Sequence, residues 1–139
     1  MKILVPVDGS AYSLKAVETA CDLAKSQDHA LLVLAAVAIE IPELEEGIYI
    51  AEKMKAQAEA ALAKAKEVAQ CTGLPPHAVL VTGTSPADEI VQLAKNEKAD
   101  LIVIGGRGLA SKTRSFLGST ASQVVTYSPC SVLVVKSQD

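Results

Sequence analysis

Five short stretches of this chain are apolar at almost every position: residues 3–7, 30–38, 78–81, 101–104 and 131–135. Unbroken apolar runs suit strands covered on both faces, the situation in a parallel sheet with helices packed above and below it. For residues 30–38, periodicity alone does not separate a strand from a buried helix. The run's length and its flanks, Asp28-His29 before and Ile41-Pro42 after, favour a central strand. Between the runs the period changes. Leu14, Val17, Cys21 and Ala24 recur at helical spacing, as do Met54, Ala58, Leu62, Ala65 and Val68. Ile90, Val91, Leu93 and Ala94 give a third helix its buried side, and Ser119–Tyr127 forms a short fourth.

Turn and cap residues fall where this pattern needs them. Asp8-Gly9-Ser10 breaks the first run and puts Ser10 at a helix N-cap, with that helix ending near Gln27. The second helix, 48–70, is rich in Ala, Lys, Glu and Gln, and Gly73 followed by Pro75-Pro76 stops it. Ser85, Pro86 and Asp88 open the third, which ends near Lys98. The acidic stretch 40–47, with Pro42 and Gly47, reads as an exposed loop. Five strands thus alternate with four helices. That order predicts an α/β fold, a doubly wound, Rossmann-like parallel sheet with helices on both faces and right-handed crossovers. A length of 139 residues suits a single domain, 1–139. Ligands of such sheets bind beyond the carboxyl ends of the strands, where the strand order reverses.

Composition narrows the partners. Half of the residues are apolar but only 3% are aromatic, and the net charge is −3. Base stacking and a broad basic surface are both missing, which argues against a nucleic-acid binder. The longest apolar run, 30–39, is ten residues and too short to cross a bilayer, and the amino terminus has no signal-peptide pattern. A cytoplasmic protein without membrane contact is expected. Cys21, Cys71 and Cys130 are odd in number and widely spaced, so they read as small hydrophobes, not as a disulfide framework or zinc site. His29 and His77 are isolated, and no Ser-His-Asp or paired-carboxylate arrangement is present.

Candidate chemistry gathers after the fourth strand. Gly105, Gly106 and Gly108 can let backbone amides approach a ligand, and Gly118, Ser119 and Thr120 open a helix whose first amides and dipole favour an anion. Charge agrees with this. Residues 101–139 carry four cations (Arg107, Lys112, Arg114, Lys136) against one acid, whereas residues 1–100 carry nine against fifteen. An acidic chain has kept its glycine loop positive, as a phosphate site requires. Two common phosphate motifs fail: Ser111 stands where a Walker loop and a dinucleotide fingerprint each need a glycine.

What fits is Gly-x-x-Gly, nine residues, then Gly-Ser, carried by Gly105, Gly108, Gly118 and Ser119. This resembles the ATP-binding signature of the universal stress protein family. The likeness includes Val5-Pro6-Val7-Asp8-Gly9-Ser10, Gly83-Thr84-Ser85-Pro86, Ala99-Asp100 before the fourth strand, and the closing Val-Leu-Val-Val-Lys. Two departures stand out. Ala35-Ala36-Val37 replaces the family's usual His-containing end of strand two, and Pro129-Cys130-Ser131 replaces a Pro directly before strand five.

The resemblance implies strand order 3-2-1-4-5, ATP or a related adenine nucleotide as ligand, and a homodimer paired antiparallel through Ser131–Val135. It also implies roles for particular residues. Pro6 and Val7 would line the adenine side, Ala36 would offer backbone groups to the base, and Asp8 would act near the phosphates through Mg2+. Gly105, Gly106, Arg107 and Gly108 would cover ribose and phosphate, with Ser111 at the far end of that loop. Gly118, Ser119 and Thr120 would hold phosphate oxygens. Plainer readings stand beside these: Asp8 as an Asx turn, Ser119 and Thr120 as helix caps, and the loop cations as solvated charges.

Functionally, the expectation is a nucleotide-binding regulatory protein of stress responses with little or no hydrolysis. The sequence has no dedicated base for water and no Walker-type lysine. A slow hydrolase of the related adenine-nucleotide hydrolase group and a ligand-free dimeric scaffold are the alternatives. A cyclic nucleotide is an alternative ligand.

Overall fold

A computed structural model of the chain describes residues 1–27, 30–40, 47–70, 75–107 and 117–136. Along these run β1 (Lys2–Pro6), α1 (Ala11–Lys25), β2 (Leu31–Ile39), α2 (Gly47–Gln70), β3 (His77–Gly83), α3 (Pro86–Glu97), β4 (Leu101–Gly105), α4 (Ser119–Tyr127) and β5 (Ser131–Val135). The strands form one parallel sheet in the order β3-β2-β1-β4-β5. This is the doubly wound α/β topology expected from the alternation of runs, with the strand order that the resemblance implied.

Alternation of side chains across the sheet divides the core in two. Ile3, Val5, Leu32, Leu34, Ala36 and Val103 point to the face covered by α1 and α2, where Val17, Cys21, Ala61 and Ala65 meet them. Leu4, Val33, Ala35, Ile102 and Ile104 point to the other face, against Ile90, Leu93 and Ala94 of α3 and Val124 of α4. Ile3, Leu4, Val5, Leu34, Ile102 and Val103 have no exposed surface, which is why the central strands read as unbroken apolar runs. On α2 the buried line is Ala58, Ala61, Leu62, Ala65 and Ala69, and Met54 is only half-buried. Small side chains let this helix lie close to the sheet.

Boundaries shift where pairing outlasts apolarity. β3 is longer than its apolar stretch, because it stays in register with β2 from Val33↔His77 to Ile39↔Gly83. β4 runs one residue further than expected, since Gly105 still pairs with Val135. The caps at Ser10 and Ser85 are present: Ser10 Oγ accepts from the Ser13 amide at 3.2 Å and Ser85 Oγ from the Asp88 amide at 3.4 Å. α3 closes at Lys98, which takes the left-handed conformation (φ 54°) while the Ala99 amide donates to the Ala94 carbonyl. Cys21 is buried and Cys130 half-buried. Of the expected loop at 40–47, Gly47 already begins α2, and residues 41–46, like the stop at Gly73, Cys71 and His29, lie outside the described residues. His77 is exposed at the start of β3.

Candidate functional site at the carboxyl ends of β1 and β4

The strand order reverses between β1 and β4, which pair directly through Ile3↔Leu101 and Leu4↔Ile102. From the end of β1 the chain turns into α1 on one face, while β4 is followed by α4 on the other. The two ends therefore diverge around a crevice, as at other switch points of open α/β sheets.

On the β1 side, Val7 continues the sheet, its amide donating to the Ala35 carbonyl at 2.8 Å. Gly9 then takes φ +87°, a conformation that L side chains rarely adopt, and this reverses the chain into α1. Asp8 stands exposed at the bend. Its Oδ1 accepts from the Ser10 amide at 2.9 Å, and its own amide donates to Ser13 Oγ at 3.3 Å. The first of these bonds is an Asx turn, so the plain structural role holds for Asp8. It also orients the carboxylate at the mouth of the crevice. Pro6 is buried, and the Val7 side chain is only 5% exposed, packed in the α1/α2 core.

The backbone groups expected of Ala36 lie on the other side of its strand. Ala35 faces β1 through the bond from Val7, and the Glu40 amide faces β3, donating to the Gly83 carbonyl at 2.8 Å. Backbone groups alternate sides along an extended strand, so Ala36 turns toward β3 and Val37 toward β1. By the register of β1 with β2, Val37 stands opposite Asp8, where β1 has already turned away. Val37 is thus the β2 residue whose N–H and C=O face the crevice. Sequence reasoning passed over it because an apolar run carries no sign of which backbone groups face which neighbour.

The β4 side is more committed than its glycines suggested. A Cβ on Gly105 would lie 2.8 Å from both the carbonyl carbon and oxygen of Tyr12 in α1. Gly105 is required by helix packing. The Gly106 amide donates to the Val135 carbonyl at 2.9 Å, and the Gly118 amide to the Gly106 carbonyl at 2.7 Å. Those two amides, expected to face a ligand, instead tie β4 to β5 and α4 to β4. The second bond sets the start of α4 beside the end of β4.

Ser119 and Thr120 are not caps. Gly118 is the N-cap, without a side chain to offer, and the first helical bond runs from the Ser122 amide to the Gly118 carbonyl at 2.9 Å. The amides just inside a helix N-terminus have no intrahelical acceptor, so the first turn of α4, with an exposed Ser119 and a half-buried Thr120, presents donors and positive dipole at the crevice. Gly108 and Ser111 lie outside the described residues. Arg107 is half-buried, with Cζ 5.0 Å from the centroid of the Tyr12 ring. Tyr12 was not anticipated, because its nearness to Arg107 depends on β1 and β4 being neighbours. Among the described residues no group of three or more His, Cys, Asp or Glu side chains is placed to hold a metal ion, and no helix is long and apolar enough to cross a membrane.

The architecture is shared with known proteins. The model of the universal stress protein family matches residues 1–136. A universal stress protein of Methanocaldococcus jannaschii is 37% identical over 139 residues, covering 97% of this chain and 81% of its own. The solved structure of the universal stress protein UspA from Lactobacillus plantarum superposes with a TM-score of 0.83 at 29% identity, covering 97% of each chain. A universal stress protein crystallised in complex with cAMP superposes with a TM-score of 0.75 at 31% identity, covering 97% of this chain and 96% of that one. With a family model spanning nearly every residue, this chain belongs to the universal stress protein family.

Proposed function

We propose that the chain binds an adenine nucleotide, ATP with Mg2+ in the first instance, in the β1/β4 crevice, and works as a cytoplasmic regulatory homodimer in stress responses. The observation that carries this reading is the Gly118 to Gly106 hydrogen bond, which sets the open first turn of α4 at the switch point. In this reading the amides and hydroxyls of Ser119 and Thr120 take phosphate oxygens, with Arg107, Gly108 and Ser111 along the connection from β4 to α4. Gly105, Gly106 and Gly118 act by letting backbones approach. The base lies on the other side, where Val37, in place of Ala36, supplies one donor and one acceptor to its edge, beside Pro6 and Val7. Asp8 supplies one carboxylate to a cation. It suits Mg2+ that also takes phosphate oxygens and water.

Occupancy, not turnover, is the proposed output, since the sequence carries no Walker-type lysine motif. β5 is one of the two outer strands of the sheet, with Leu133 38% exposed, and a second copy pairing antiparallel along it would cover that edge. A second ligand is favoured by a specific relative: the 31% identical protein crystallised with cAMP makes a cyclic nucleotide the first competitor. The test is to denature purified protein, identify the small molecules released, and titrate the emptied and refolded protein with ATP and with cAMP, each with and without Mg2+. Tighter ATP binding with Mg2+ is expected. Tighter, Mg2+-independent cAMP binding would favour the second ligand, and no binding of either would sink the reading.

A further inference from the structure

We propose that Tyr12 is a positioning residue for phosphate recognition, its ring serving as a fixed platform that holds the Arg107 guanidinium at the mouth of the β1/β4 crevice. This rests on the nucleotide reading above, and the two can fail separately. Close packing holds the platform in place. Tyr12 sits in the first turn of α1, one residue inside the helix whose N-cap, Ser10, is buried. Its backbone presses on Gly105 so closely that no Cβ fits between them. Arg107 follows two residues later along that same strand end, and its Cζ lies 5.0 Å from the ring centroid. A guanidinium lying over an aromatic face is held by the ring's quadrupole without spending its in-plane N–H donors on that contact. The fork of a guanidinium matches the geometry of phosphate oxygens. A long, flexible side chain that must be ordered on binding weakens affinity, and a stacked one is ordered beforehand.

The consequence is a preference for phosphorylated ligands that depends on a residue touching no phosphate. Calorimetric titration of the full chain with ATP, adenosine and inorganic tripolyphosphate tests it in Tyr12→Phe, Tyr12→Leu, Arg107→Met and the Tyr12→Leu/Arg107→Met double variant. Tyr12→Leu is expected to weaken ATP and tripolyphosphate by roughly two- to fivefold, the scale of one cation–π contact, and to leave adenosine unchanged. Tyr12→Phe keeps the ring face and should match the parent. In the Arg107→Met background the Tyr12 change should have no further effect. Equal loss for adenosine, equal loss in Tyr12→Phe, or additive loss in the double variant would each overturn the inference and leave nucleotide binding intact. Retained, Tyr12-sensitive tripolyphosphate binding without adenosine or ATP preference would sink the nucleotide reading alone, and a parent chain that binds none of the three would sink both.

Discussion

Gly105 lies against Tyr12 so tightly that a single added carbon would come within 2.8 Å of the Tyr12 carbonyl. A signature glycine that looks like a ligand contact is thus also a packing contact between β4 and α1. Gly105→Ala is expected to destabilise the fold by about 1–3 kcal/mol, the usual cost of overpacking, because backbone on the opposing side has no rotamer with which to give way. Urea denaturation monitored by circular dichroism checks this. An unchanged midpoint would show that α1 can move away freely. Loss of nucleotide binding in a Gly105 variant is therefore weak evidence about the site unless stability is measured alongside.

Ser119 offers a cleaner probe of the same crevice. An acid in the first turn of a helix favours the helix itself, so Ser119→Glu should leave thermal stability unchanged or raise it by about 0.3–1 kcal/mol. Close to bound phosphates the same charge is repulsive, and ATP affinity should fall by at least roughly tenfold, a small part of what Coulomb's law allows at contact distance. Differential scanning fluorimetry with and without ATP reads both effects together. Undiminished ATP protection in this variant would move the phosphates away from α4.

Asp8→Asn separates turn from charge. The Asn side-chain oxygen can still accept from the Ser10 amide, as Asp8 Oδ1 does at 2.9 Å, so the bend should survive. ATP binding in the presence of Mg2+ should weaken by more than binding in its absence, because only the former uses the carboxylate on a cation. Equal weakening in both conditions, measured by calorimetry, would remove the cation from Asp8.

Leu133→Lys places a charge on the apolar outer strand. Edge lysines discourage strand addition, so the variant should sediment as a monomer where the parent sediments as a dimer, and its melting temperature should lose its dependence on protein concentration. An unchanged sedimentation coefficient would locate the dimer contact elsewhere, for instance around Val125 and Tyr127, which are 46% and 68% exposed on α4.

Local chemistry wrote most of the architecture openly. The unbroken runs around Leu4, Leu34 and Ile102 announce strands buried on both faces, and Ser10, Ser85 and Pro86 mark helix starts through bonds made within three residues. The positions of the glycines and the surplus of cations after residue 100 likewise pointed to the end of β4, since neither depends on what packs against what. Such features are legible because their cause and their effect lie close together in the chain.

Roles that depend on distant segments were decided only by the assembled sheet. Which of Ala36 and Val37 turns its backbone to the crevice follows from the Val7 to Ala35 bond, and the duty of Gly105 follows from an α1 residue some ninety positions earlier. The amides of Gly106 and Gly118 looked available until Val135 and Gly106 supplied their acceptors. The pairing of Tyr12 with Arg107 exists because β1 and β4 are neighbours. A linear pattern records what a residue can do; its partner across the fold determines which of those things it does.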